Sequence, residues 1–98
     1  MAWQYKFHPA AQEDYESSVS WYLKRSLKAA TNFVDTVENG LSFICADPKI
    51  CRNTYKNYHE LTLPKYPCTI VFTMEESQQM VIIIAIYHQK RNPDKKYR

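Results

Sequence analysis

The longest apolar run of the chain limits most strongly the folds that it can adopt. Every side chain from Val81 to Ile86 is apolar, and Met80 and Tyr87 extend the run at its two ends. A half-buried strand would alternate with polar residues, whereas a strand covered on both faces has no such requirement. The run is also far shorter than the roughly 20 residues of a membrane-spanning helix. We therefore predict a central strand over residues 80–87.

A first helix is predicted over residues 9–24, where apolar side chains recur at helical spacing and form one stripe. The stripe consists of Ala11, Tyr15, Val19 and Tyr22. Pro9 suits the first helical turn, because its missing N–H would have no partner there. His8 would then be the N-cap, a position that Ser, Thr, Asp or Asn fill better.

A second helix is predicted over residues 27–46, where apolar residues repeat at spacings of three and four. They are Leu27, Ala30, Val34, Val37, Leu41 and Ile44. Asp47 should end this helix, because a residue that precedes a proline avoids helical backbone. Only a couple of residues separate the two helices, which predicts an antiparallel helical hairpin. Gly40 lowers helix propensity and therefore indicates a close contact with a neighbouring helix or sheet.

Three further strands are predicted from alternating side chains. Trp3, Tyr5 and Phe7 alternate with polar residues near the N-terminus, and residues 54–63 and 68–75 alternate in the same way. The resulting order is β-α-α-β-β-β. This order predicts an α+β fold in which a helical hairpin packs on a small antiparallel sheet. The length predicts that residues 1–98 form a single domain.

Composition argues against several classes of protein. Gly40 is the only glycine, so the chain has no glycine-rich phosphate loop of the kind that P-loop NTPases and dinucleotide-binding enzymes use. The three cysteines show no Cys-x-x-Cys spacing, which argues against a disulfide framework and a zinc site. We therefore expect free thiols and no metal or other cofactor. Because no apolar run of signal-peptide length is present near the N-terminus, we expect a cytoplasmic protein.

Charge is segregated along the chain. Residues 10–47 contain six acidic and three basic residues, a net charge of −3. Residues 49–67 have a net charge of +3, and residues 87–98 have a net charge of +4. Such segregation indicates a polyanionic partner or a strongly acidic protein partner. The alternative interpretation is a solvated rim of ordinary lysines.

An ordered set of short motifs spans almost the whole chain. They are His8-Pro9-x-Ala11-x-x-Asp14, Trp21-Tyr22, Phe33, Val37-Glu38, Asp47-Pro48, Tyr66-Pro67, Thr69-Ile70-Val71-Phe72 and Ile86-Tyr87-His88-x-x-Arg91-Asn92-Pro93. In this order the motifs resemble the RelE/ParE superfamily of toxins from bacterial type II toxin–antitoxin modules. The ending with histidine, arginine and proline is the most specific part of the resemblance.

The resemblance implies one of two activities. RelE-like members cleave messenger RNA in the ribosomal A site, whereas ParE-like members block DNA gyrase and are not nucleases. Both kinds are held inactive by an antitoxin whose C-terminal segment wraps the toxin. We therefore expect a cognate antitoxin as partner, acidic or amphipathic so that it can cover the basic face. The expected target is DNA gyrase or the ribosome with its messenger RNA, and no membrane.

Candidate catalytic residues follow from the chemistry of RNA cleavage, which needs a base, an acid and a cation that stabilises the phosphorane. Arg52 and Arg91 are candidates for a phosphate clamp. Lys56 is a candidate electrostatic stabiliser, and His59 a candidate acid or base. The basic tail is expected to contact nucleic acid or the protein target. Its candidate residues are Lys90, Lys95, Lys96, Tyr97 and Arg98.

One departure from the family pattern bears on the choice of target. The strand with His59 and Glu60 lacks the arginine that RelE-like and many ParE-like chains place there. The thin arginine complement favours a ParE-like action on DNA gyrase. A ribosome-dependent endoribonuclease is the nearest alternative, followed by an inactive relative that only binds an antitoxin. The fourth hypothesis is a small nucleic-acid-binding module, unrelated to the family, that uses its basic rim.

Overall fold

A computed structural model describes residues 3–88 as a helical hairpin packed on one face of a five-stranded sheet. In chain order the elements are β1 (Gln4–Phe7), α1 (Pro9–Leu23), α2 (Leu27–Ala46), β2 (Arg52–Tyr55), β3 (Tyr58–Thr62), β4 (Cys68–Glu75) and β5 (Met80–His88). Short 3-10 turns lie at Pro48–Ile50 and Glu76–Gln78. The predicted α+β architecture and both predicted helices are confirmed. No helix within residues 3–88 is long and apolar enough to cross a membrane.

The sheet has the strand order β1-β5-β4-β3-β2. The long apolar strand β5 lies between β1 and β4, which confirms the predicted central strand. β1 runs parallel to β5, whereas the other neighbouring strands are antiparallel. The predicted antiparallel sheet is therefore confirmed for three of its four strand pairs, and the β1–β5 pair is a parallel addition at one edge. A bulge also interrupts the β4–β5 ladder between Val71 and Phe72.

The segment predicted as a single strand over residues 54–63 belongs instead to a hairpin of two strands, β2 and β3. The chain turns at Lys56, whose φ of 50° is in the left-handed region that favours glycine. The side-chain amide of Asn53 stabilises this turn, because it donates to the carbonyl oxygens of Lys56 at 3.0 Å and Tyr58 at 3.2 Å. Lys56 thus occupies a turn position where glycine is usual, and the two hydrogen bonds from Asn53 stabilise its left-handed backbone.

The His-Pro-x-Ala-x-x-Asp motif has a structural explanation at the start of α1. The imidazole Nδ1 of His8 accepts a hydrogen bond from the backbone N–H of Ala10 at 3.1 Å, so histidine does serve as the N-cap. Ala11, on the face of α1 that packs against the core, is fully buried. The Asp14 carboxylate accepts a hydrogen bond from the backbone N–H of Ile86 at 3.3 Å. Ile86 lies beyond Ile83, the last residue of β5 that pairs with β1. Asp14 of α1 therefore provides the hydrogen-bond acceptor for a backbone N–H of β5 that β1 is too short to reach.

The core lies between the helices and the sheet. Its buried residues include Phe33, Val37, Leu41 and Ile44 of α2 and Ile70, Phe72, Val81 and Ile83 of the central strands. The apolar stripe of α1 packs against this core as predicted. Leu27, the first residue of the apolar repeat, does not join this core, because its side chain is 72% exposed at the start of α2. The buried face of α2 is instead centred on Phe33, which contacts the rings of Tyr15, Tyr22 and Tyr66.

Gly40 marks the closest approach between α2 and the sheet. A Cβ atom at this position would lie 3.0 Å from Cδ2 of Leu63 and 3.3 Å from Cδ1 of Ile70. These distances are tighter than ordinary van der Waals contact, so the missing side chain lets the helix settle onto the sheet. The predicted close helix–sheet contact is confirmed.

Candidate nucleic-acid and target interface

The two faces of the sheet have different environments. Leu61 and Ile70 lie below Gly40, so their side chains point to the helices. Because side chains alternate along a strand, their neighbours point to the opposite face, which we call the second face. Residues of the second face include Arg52, Thr54, Tyr58, Glu60, Thr62, Thr69, Val71, Ala85 and Tyr87. Tyr55 joins this face as the partner of Tyr58, because an irregularity between Asn53 and Tyr55 interrupts the alternation of β2.

His59 lies on the face that contacts the helices. Its ring stacks on Phe72 with centroids 5.6 Å apart. Its Nδ1 lies 3.1 Å from the carbonyl oxygen of Cys51, and because a carbonyl can only accept, Nδ1 carries the proton and donates. The structure therefore places His59 and Arg52 on opposite faces of the sheet and does not bring them into one catalytic group.

Arg52 and Lys56 lie on the β2–β3 hairpin together with two tyrosines. The rings of Tyr55 and Tyr58 are almost parallel, with an angle of 4° between their planes and centroids 6.1 Å apart. Nζ of Lys56 lies 5.2 Å from the centroid of the Tyr55 ring. We call Arg52, Tyr55, Lys56 and Tyr58 the hairpin site. The sequence prediction included its two cations but missed its two tyrosines, although both flank the turn at Lys56 and Asn57.

The centre of the second face is closed to solvent. Val71 and Ala85 are fully buried, and Glu60 is 6% exposed. These three residues form one row across the sheet, with Arg52 next to Glu60 at the row's end. The hydroxyl of Thr54 donates a 2.7 Å hydrogen bond to the Glu60 carboxylate, which helps to hold the buried charge. A partner would therefore meet the exposed hairpin site at the rim of this face.

The remaining candidate residues, Arg91 and the tail residues Lys90, Lys95, Lys96, Tyr97 and Arg98, lie outside the described residues, and their roles stay predictions. The tail follows β5, which is separated from β2 by β3 and β4. At the usual strand spacing this separation is roughly 14 Å across the sheet.

Other titratable groups contribute to structure. All three cysteines are buried, and burial raises the pKa of Cys45 and Cys51, so these thiols stay protonated at neutral pH. Lys49 forms an exposed salt bridge with Glu76 at 2.9 Å. Within residues 3–88, no group of three or more His, Cys, Asp and Glu side chains is arranged to hold a metal ion.

Solved structures of toxins share this fold. The chain is similar to a chromosomal ParDE toxin–antitoxin system from P. aeruginosa, with a TM-score of 0.74, 14% identity, and coverage of 89% of this chain and 96% of that chain. It is also similar to a mutant of the E. coli toxin RelE in the free state, with a TM-score of 0.67, 12% identity, and coverage of 98% and 95%. The toxin–antitoxin complex RelBE2 from Mycobacterium tuberculosis follows, with a TM-score of 0.58, 11% identity, and coverage of 90% and 99%. At these identities the likeness shows a common fold.

The sequence itself shows the family. A search against curated proteins finds no match. The model of the ParE toxin of the type II toxin–antitoxin system parDE, however, matches residues 5–93, which is most of the chain. This match includes the helical hairpin, the sheet except for the first residue of β1, and the motif that ends in Pro93. The chain therefore belongs to the ParE toxin family of type II toxin–antitoxin systems.

Proposed function

We propose that this toxin inhibits growth by acting on DNA gyrase without cleaving nucleic acid. The observation that carries the proposal is the placement of His59. Its ring packs on Phe72 and its Nδ1 is engaged by a backbone carbonyl, so it is not presented to a substrate on the second face. The ParE family match favours the same target.

The chemistry of RNA cleavage explains why this placement matters. A nuclease of this kind needs a group that accepts the 2′-hydroxyl proton, within hydrogen-bond reach of the substrate. Around the hairpin site the described side chains offer two cations, two phenols and the nearly buried Glu60. Such a surface suits binding better than general acid–base catalysis.

An antitoxin is the second part of the proposal. The P. aeruginosa structure is of a toxin–antitoxin system and the M. tuberculosis structure is of a toxin–antitoxin complex. We infer that a cognate antitoxin also binds this chain and covers its basic surface with an acidic or amphipathic segment. If the product of the neighbouring reading frame neither co-purifies with this chain nor restores growth, the inference of an antitoxin fails.

DNA supercoiling tests the proposed target directly. Relaxed plasmid is incubated with DNA gyrase, ATP and the purified protein, and a parallel reaction contains translating ribosomes with a defined messenger RNA. We expect supercoiling to fall and the messenger RNA to stay intact. Arg52→Gln should relieve inhibition, whereas Lys65→Gln is the control, because Lys65 is also an exposed cation but lies outside the hairpin site. Intact gyrase activity together with cut messenger RNA would establish the ribonuclease alternative, which the RelE-like fold also accommodates.

A further inference from the structure

The hairpin site is held in shape before any partner binds. Lys56 takes its left-handed backbone conformation at the turn. The Asn53 amide bridges both sides of that turn through its two hydrogen bonds to Lys56 and Tyr58. A rigid turn loses little conformational entropy on binding. The positions of the neighbouring rings and cations are thus set in advance.

The two tyrosines of this site form an aromatic platform. Their rings are nearly parallel across the β2–β3 ladder, and Tyr55 is 46% exposed. A flat exposed ring is the surface on which an unpaired nucleobase stacks, since every base has a π face. Tyrosine is well suited to this role because only two side-chain torsions must be ordered.

Positive charge accompanies the platform. Nζ of Lys56 lies near the Tyr55 ring, and Arg52 projects from the same face of the sheet. Residues 49–67 have a net charge of +3. The one acid of this segment, Glu60, is almost buried and accepts the hydrogen bond of Thr54. The exposed charge beside the rings is therefore cationic, which suits a phosphate backbone.

We propose that the hairpin site binds single-stranded DNA, with an unpaired base stacked on Tyr55 and with Arg52 and Lys56 against its phosphates. The inference deepens the proposed function, and the role of this DNA binding in the cell rests on the proposed action on DNA gyrase. A toxin that acts on DNA gyrase would then contact unpaired bases of the DNA at the enzyme, in addition to the enzyme itself.

Fluorescence anisotropy of labelled oligonucleotides with the full chain tests this inference. The probes are an oligothymidine of about 20 nucleotides, a duplex and an oligouridine of the same length, all at low salt. Tyr55→Leu removes the aromatic face, and Tyr5→Leu is its control because Tyr5 is 40% exposed but lies on the helix side. Lys56→Gln removes a cation, and Lys65→Gln is its control because both lysines have a positive φ.

We expect binding to oligothymidine that Tyr55→Leu weakens roughly 5-fold to 150-fold and that Tyr55→Phe preserves. Lys56→Gln should make the slope of log affinity against log salt shallower by about 0.7. The two control substitutions should leave binding within about twofold, since neither removes a group of the proposed site. Thermal unfolding confirms that each variant is folded, and the Lys56→Gln slope tests the site even if Tyr55→Leu does not fold.

Several outcomes would overturn the inference. They are an absence of oligothymidine binding, equal weakening by Tyr55→Leu and Tyr5→Leu, and tighter binding to oligouridine or duplex than to oligothymidine. If the chain inhibits gyrase but binds no oligonucleotide, the proposed function stands and the DNA site is wrong. If it binds oligothymidine through Tyr55 but leaves gyrase active, the DNA site stands and the proposed function is wrong.

Discussion

The helix side and the second face of the same sheet differ in how many of their side chains are buried in the core and how many are exposed to a partner. On the helix side, Phe72, Ile70 and Ile83 are fully buried, and even the polar His59 contributes to packing. On the second face, the centre is also buried, but its rim at the β2–β3 hairpin exposes Tyr55 and its neighbouring cations. Substitutions on the helix side should therefore change stability, whereas those at the rim should change function.

The largest expected effect is on the helix side. Phe33→Ala should lower the free energy of unfolding by about 3–5 kcal/mol, because it leaves a cavity among three tyrosine rings. Phe43 is a control on the same helix, since its side chain is 49% exposed. Phe43→Ala should cost less than about 1 kcal/mol. Urea unfolding followed by circular dichroism measures both, and equal costs would contradict the assigned core.

The next effect concerns the buried centre of the second face. Thr54→Val keeps the β-branched shape but removes the hydroxyl that donates to Glu60. Since this hydrogen bond ends on a charged and nearly buried group, we expect a loss of about 1.5–3 kcal/mol in unfolding free energy. Thr36→Val, which removes an exposed hydrogen bond within α2, should cost under about 0.5 kcal/mol. A neutral Thr54→Val would mean that Glu60 does not depend on this donor.

A pair of substitutions sharpens the contrast between the faces. His59→Leu should lower stability by about 1 kcal/mol, because the Cys51 carbonyl loses its donor, and should leave gyrase inhibition intact. Arg52→Gln should keep stability within about 0.5 kcal/mol, as expected for an exposed side chain. It should weaken gyrase inhibition by about tenfold or more, a loss of roughly 1.4 kcal/mol in interaction energy. The reverse pattern, with activity lost only in His59→Leu, would restore histidine as a catalytic candidate.

The smallest effect is expected at the salt bridge between Lys49 and Glu76. The hydrogen bond from Lys49 and its charge lower the pKa of Glu76. A lowered pKa in the folded state contributes stability above the unfolded pKa, and this contribution is lost as pH falls through the lowered value. The midpoint of urea unfolding should therefore fall as the pH is lowered through this range. In the Glu76→Gln variant this fall should be absent. Salt at about 1 M should also remove it, because both side chains are exposed. An acid response that survives in the variant must come from another carboxylate.

The sequence predicted the regular elements well because their signals are local. Helical spacing placed both helices within one residue of their bounds, and the apolar run around Ile83 marked the central strand. The β2–β3 hairpin was missed because its turn has no glycine and depends on the side chain of Asn53. The parallel pairing of β1 was missed because it joins segments about 75 residues apart in sequence, which alternation within a strand does not encode.

The candidate site was only partly predictable for a similar reason. Residue type pointed to Arg52 and His59 alike, but the face of each residue depends on the strand register. Arg52 pairs with Glu60, the sequence neighbour of His59, so Arg52 and His59 face opposite sides of the sheet. The role of Asp14 in holding the N–H of Ile86 was likewise invisible, since only the fold brings α1 to the edge of β5.

The most direct test of the central claim is a comparison of macromolecular synthesis in bacteria within minutes of induction of this toxin. Pulses of labelled thymidine and labelled amino acid report DNA replication and translation in the same culture. An action on DNA gyrase predicts that thymidine incorporation falls first while amino-acid incorporation continues, and that Arg52→Gln delays the fall. If amino-acid incorporation stops first, the toxin acts on translation and the gyrase assignment is wrong.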